Sequence, residues 1–147
     1  NPQSTAQVMA DGWLRTGDIG SIDVDGNLYI TGRKKETIIV KGQNIHPSDL
    51  EVVLSAHPQV EEVAVLGVPD ELRGEVVAAV ITLKKDEVVT EYELRRFCLE
   101  RLASYKAPKQ FIFLDSLPRT ASGEIDKEGI RKQLSIPSIF PGKVVSE

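Results

Sequence analysis

The residues in this chain that could do chemistry are charged side chains and glycines set in ordered blocks. Asp11-Gly12-Trp13-Leu14-Arg15-Thr16-Gly17-Asp18 ends on a carboxylate, and Gly32-Arg33-Lys34-Lys35-Glu36 sets a run of charges between two apolar stretches. Lys41-Gly42-Gln43-Asn44 follows, and Leu117-Pro118-Arg119-Thr120-Ala121-Ser122-Gly123-Glu124-Ile125 closes the set. Taken singly, each block has a plain structural reading. The charged run is a solvated loop, Asp18 an Asx-turn residue before Gly20, and Gly42 a turn glycine. Nucleophilic and metal chemistry are poorly served. His46 and His57 flank one helix with no nucleophile or ligand spacing beside them, so both read as surface or capping histidines.

The elements that must position these blocks mix strands and helices. Trp13 and Leu14 enter a first strand signal, and Asp25-Gly26 between Ile22 and Leu28 is a hairpin signal with apolar flanks. Thr37 to Ile45 reads as a second hairpin turning at Lys41-Gly42. Pro47 and Ser48-x-x-Glu51 predict a helix start with a capping box, with Leu50, Val53 and Leu54 on one face. Val60 to Val68 and Glu75 to Leu83 are β-rich runs joined by the turn-forming stretch 69–74. Thr90-x-x-Glu93 caps a second helix, on which Leu94, Phe97, Cys98 and Leu102 share a face. That spacing makes Cys98 a core thiol rather than a reactive one. Tyr105 to Lys109 stops the helix and Gln110 to Leu114 supplies another strand. The predicted class is α+β: a small three-stranded sheet with packed helices, plus an N-terminal β-hairpin lobe.

Composition sets the outer limits. The chain has 147 residues, of which 41% are apolar, enough for the core of one ordinary domain. A formal net charge of −4, with basic residues scattered rather than gathered on one face, argues against a nucleic-acid partner. Cys98 is the sole cysteine, so neither a disulfide framework nor a structural zinc site is available, and the cytoplasm is the natural compartment. No apolar run approaches the ~20 residues of a membrane span.

Together the blocks R-T-G-D, G-R-K-K-E-x-I-I-V-K-G-x-N-I-x-P-x-D-L-E and L-P-R-T-A-S-G-E-I resemble the adenylate-forming superfamily: acyl-CoA synthetases, adenylation domains of peptide synthetases, and luciferases. The resemblance spans about residues 8 to 134, and three ordered blocks are far more specific than any one alone. It implies ATP, with Mg, as one substrate and CoA or a carrier-protein phosphopantetheine as the thiol acceptor. Asp18 matches the residue that holds the ribose hydroxyls, a task that suits a carboxylate able to accept from both members of a cis-diol. Arg33 matches the nucleotide-contacting arginine, whose fixed guanidinium fork binds oxyanions well. Lys35 falls at the hinge on which the C-terminal domain turns between the adenylate-forming and thioester-forming conformations. Lys41 and Gly42 border the pantetheine tunnel. Asn44 stands where Arg or Gln is frequent, and can donate to phosphate without bringing charge.

The closing block departs from the pattern. Its usual form is P-x-T-x-S-G-K-I, whose lysine neutralises charge on the phosphorus oxygens during adenylation; here the position is Glu124. A carboxylate facing two anions repels them. Three readings stay open: adenylation is impaired or rerouted, Lys127 or Lys132 reaches in from the following helix, or the protein has a divergent, non-catalytic role binding CoA or a carrier protein. The thioester half-reaction does not use that lysine in the family.

The resemblance thus divides the chain into 1–33, the end of a large N-terminal adenylation domain; 34–36, the hinge; 37–134, the mobile C-terminal domain; and 135–147, a proline-containing linker. The implied enzyme is an acid–thiol ligase, of which this chain alone is inactive. Its implied partners are its own N-terminal domain, a small carboxylic acid, and CoA or a carrier protein.

Overall fold

The structure is a computed structural model, and it describes residues 9–10, 13–14, 16, 18–33 and 36–136. The chain divides into two compact units, Asn1–Lys35 and Glu36–Glu147. The proline-containing tail beyond residue 136 lies outside the described residues.

The first unit holds two antiparallel pairs: β1 (Met9–Ala10) with β2 (Trp13–Leu14), and β3 (Asp18–Ile22) with β4 (Leu28–Arg33). The β3–β4 hairpin forms where Asp25-Gly26 predicts it, but Asp23 organises the turn. Its carboxylate accepts from the backbone N–H groups of Asp25 and Asn27, both at 2.9 Å, and from the Tyr29 hydroxyl at 3.0 Å. The Asn27 N–H, with the Asn27 side chain next, holds the Asp23 carboxyl below the usual carboxylate range. Gly26, at φ +85°, supplies the left-handed residue such a turn needs.

The second unit is built on one five-stranded sheet in the order β6-β5-β8-β7, with β9 also on β8. The long pair β7 (Val60–Asp70) and β8 (Gly74–Leu83) runs antiparallel from Val60↔Leu83 to Asp70↔Gly74. β9 (Gln110–Phe113) joins β8 in parallel. The hairpin β5 (Ile38–Val40) and β6 (Gln43–Ile45) attaches to β8 through Val40↔Gly74. The α+β class therefore stands, while the three-stranded count is corrected to five. Of the three strands expected, β8 is central with β7 and β9 on either side of it, and the hairpin expected as a separate element extends the sheet. Part of that attachment is made by a side chain: Glu75 Oε2 accepts the Ile39 N–H at 2.6 Å.

Both faces of this sheet are covered, which is why β7 and β8 read as nearly unbroken apolar runs. Val63, Val65, Val77, Ala79 and Ile81 face a core closed by Leu50 and Leu54 of α1 (Pro47–Ser55) and Leu94 and Cys98 of α2 (Glu91–Leu99). Ala64, Leu66 and Val80, one step out of phase, pack with Leu117 and with Ile130 of α3 (Lys127–Gln133). Each fully buried aliphatic side chain contributes about 1.5–3 kcal/mol. Cys98 sits in the first core as expected, and burial pushes its thiol up to about 11.

The two helix starts behave differently. Thr90 and Glu93 form the predicted capping box, with the Thr90 hydroxyl accepting from Glu93 N–H at 3.1 Å and the Glu93 carboxylate accepting from Thr90 N–H at 2.7 Å. The box predicted from Ser48 and Glu51 does not form. Pro47 takes the first helical turn, His46 stands at the cap without a side-chain cap bond, and the Glu51 carboxylate is drawn instead to the Val65 N–H at 3.0 Å.

Candidate functional site

In the first unit, pairing of β3 with β4 sets Asp18 directly opposite Arg33. Arg33 Nε lies 3.8 Å from Asp18 Oδ1, both side chains being partly exposed, so opposite charges meet here without a hydrogen bond. An exposed pair of this kind adds at most about 1 kcal/mol to stability. What the pairing shows is a carboxylate and a guanidinium side by side on adjacent strands. Lys35 lies outside the described residues.

In the second unit, Lys41 and Gly42 form the two-residue turn between β5 and β6, at φ +50° and +80°. Positive φ at both positions is the geometry a tight hairpin requires, because it matches the twist of the flanking strands. Open space surrounds the position a Gly42 Cβ would take. Lys41 N–H donates to the Arg73 carbonyl at 3.0 Å, tying the turn to the loop before β8. Beside it lies a cleft of about 160 Å³ lined by Val40, Lys41, Arg73, Tyr105 and Lys109. Three cationic side chains around a phenol suit an anionic, partly aromatic ligand. Asn44 is exposed on β6, opposite Ile39. Sequence reading singled out Lys41 and Gly42 but not Arg73 or Lys109, which come to the turn only through strand pairing.

The closing block folds into a tight turn. Arg119 bridges Ile125, Thr120 N–H donates to the Glu124 carbonyl at 2.8 Å, and Gly123 at φ +88° reverses the chain. Arg119 fastens its base, donating to the Gly123 carbonyl at 3.2 Å and pairing with Glu62 of β7. Leu117 and Ile125 anchor the two limbs on the α3 face of the sheet, and Glu124 is exposed on the returning limb, just after the reversal at 120–123.

Lys127 stands three residues further on, in the first turn of α3, and its surroundings are different. Its ammonium lies 3.2 Å from Glu36 Oε2 and 2.8 Å from Glu51 Oε1, with the side chain only 19% exposed. The structure therefore engages it with carboxylates of the second unit. Lys132 is exposed on α3. His57 packs edge-on against Phe97 and its Nδ1 accepts the Gln59 N–H at 3.2 Å, while His46 Nδ1 lies 3.5 Å from the Thr37 hydroxyl. Both histidines are structural. Among the described residues no helix is long and apolar enough to cross a membrane.

A family model described as the AMP-binding enzyme C-terminal domain matches residues 49–124. The chain belongs to that family, the C-terminal domain of the adenylate-forming enzymes. It is 45% identical over 134 residues, 91% of its length, to a long-chain-fatty-acid–CoA ligase of Mycobacterium tuberculosis, and covers 26% of that protein. It is 44% identical over 131 residues to a 2-succinylbenzoate–CoA ligase of Geobacillus kaustophilus, covering 89% of this chain and 27% of the relative. Among solved structures it is similar to ATP-bound MatB from Rhodopseudomonas palustris, with a TM-score of 0.84 and 38% identity over 90% of this chain and 26% of that one. The chain thus spans about a quarter of the length of the curated relatives it matches.

Proposed function

We propose that this chain is the mobile C-terminal part of an ATP-dependent acid–thiol ligase that forms an acyl-adenylate and passes the acyl group to the thiol of CoA. The observation that carries the reading is the Lys41-Gly42 turn beside a cleft lined by Arg73, Tyr105 and Lys109, in a chain whose relatives are named CoA ligases. The open glycine turn leaves room for a pantetheine arm, and the cations suit the phosphates at its other end. A carrier-protein pantetheine would present the same arm with a single phosphodiester, a poorer match to three cations.

Asp18 would hold the ribose hydroxyls of ATP and Arg33 its phosphate side, residues 34–36 would be the joint, and 37–134 the moving domain. Asn44, exposed on the hairpin beyond Gly42, would donate to phosphate. Ile22, Leu28 and Ile30 are more than half exposed on the first hairpin, as they would be if the N-terminal domain of a longer protein covered them. Glu124 would face the carboxylate and phosphate in place of a cation, slowing adenylation by about 10²–10³-fold, the usual effect of losing one charge-stabilising donor. The engagement of Lys127 with two carboxylates argues against its serving as the replacement.

A second reading, a ligase-like module that binds CoA or a carrier protein without chemistry, is favoured by Glu124 alone. The test is ATP–pyrophosphate exchange by the full-length protein carrying Glu124→Lys, with a panel of carboxylic acids. Exchange driven by one class of acid is the expected result and gives the substrate. No exchange with any acid, in a protein that still binds CoA, would sink the ligase reading and establish the second.

A further inference from the structure

We propose that Lys127 is a positioning residue that fixes where the joint ends. It fastens Glu36, the first residue of the second unit, to α1 and through it to the edge of the sheet. The inference rests on the reading of residues 34–36 as the joint, though the clamp itself is a matter of geometry.

Lys127 reaches across 91 residues of sequence to Glu36, and its other partner, Glu51, is immobilised twice over. Glu51 sits mid-helix on α1, and its Oε1 accepts from both Lys127 and the Val65 N–H. β7 is an edge strand, so this carboxylate occupies a backbone donor that no further strand would satisfy. Lys127 thus connects a rigid point to Glu36, the last residue of the joint and the first of the second unit. All three side chains are partly withdrawn from water, at 19%, 34% and 26% exposed, which strengthens the attraction over that of a surface pair. One ammonium also stands between two carboxylates. Removing it loses two attractions and leaves Glu36 and Glu51 repelling one another.

The consequence is a change of length. The next anchor after Glu36 is Ile38, 1% exposed in the core. Releasing the clamp moves the end of the joint from 36 towards 38, adding two residues, or up to about 7 Å of reach at ~3.3–3.6 Å per residue. A looser pivot widens the orientations open to the domain and dilutes the productive ones, without touching the substrates.

Glutamyl endopeptidase reads the clamp directly, because cleavage after Glu36 needs that side chain released into the protease. In the full-length protein, Lys127→Gln should raise the rate of cleavage at Glu36 about tenfold, leave Glu62 within β7 resistant, and be largely reversed by Lys127→Arg. Glu51→Gln, which keeps an acceptor for Val65, should give an intermediate rate and covers the case in which Lys127→Gln folds poorly. Unchanged cleavage at Glu36 overturns the proposal, as does equal sensitisation at Glu62, which would mark a general loss of fold. The kinetic arm uses preformed acyl-adenylate: kcat for thioester formation should fall several-fold in Lys127→Gln with KM unchanged. Loss of adenylation with unaltered cleavage would instead make Lys127 a catalytic cation. A protein without ligase chemistry, but sensitised at Glu36, would lose the ligase reading and keep the clamp.

Discussion

The two units use strands of similar composition to opposite effect. In the second, β7 and β8 are buried on both faces, and Ala64, Val65, Ala79, Val80 and Ile81 are fully enclosed. In the first, Ile22, Val24, Leu28, Tyr29 and Ile30 of the β3–β4 hairpin are all more than half exposed. The hairpin is held by its ladder and by the Asp23 turn, and an isolated two-stranded hairpin is marginal in water. Autonomy thus belongs to 36–136, whose helices close both sides of the sheet.

Truncation in each unit gives the largest difference. Leu50→Ala, removing a fully buried side chain beneath α1, should lower the stability of the second unit by about 2–5 kcal/mol in urea unfolding. Ile30→Ala, in the exposed hairpin, should leave the same transition within about 0.5 kcal/mol. Equal losses would erase the distinction between the units. A smaller effect is expected of Gly42→Ala, which meets no atom but places a side chain at φ +80°, at a cost of about 1–2 kcal/mol. A neutral result in thermal melts would mean the turn relaxes, and the fixed hairpin edge of the second unit would lose its support.

The smallest effect concerns Glu75, the buried carboxylate that holds β5 to β8. Burial pushes its carboxyl above the ordinary glutamate range, against the Ile39 N–H and the charge of Arg131, which favour the ionised form. The folded chain then keeps this proton to higher pH than the unfolded chain does. Stability should fall as pH rises from the ordinary glutamate range through the raised value, and level off above it. Glu75→Gln retains an acceptor for Ile39 and should remove that part of the slope in melts between pH 4 and 8. An unchanged slope would place the pH dependence elsewhere.

What the sequence made legible was local. The Thr90–Glu93 box, the Lys41-Gly42 turn, the buried stripe with Cys98 and the order of the chemical blocks are each set by residues a few positions apart. The long-range features were not. Five strands were counted as three because β5 joins β8 through one residue pair and a glutamate side chain, which no periodicity announces. Glu51 satisfied the spacing of a cap, yet the Val65 N–H and the Lys127 ammonium compete better for its carboxylate. Lys127 itself was singled out as a cation near Glu124, but its partners lie far off in sequence. Arg73 and Lys109 carried no signal at all before folding gathered them around the cleft.

The central claim is that Glu124 disables adenylation while the lobe retains its part in acyl transfer. The most direct test supplies preformed acyl-adenylate and CoA to the full-length protein, with and without Glu124→Lys, and measures thioester. The account predicts equal rates for the two proteins from the adenylate, and about 10²–10³-fold faster thioester formation from ATP and acid in Glu124→Lys. Equal rates from ATP and acid as well, or no thioester from the adenylate in either protein, would contradict it.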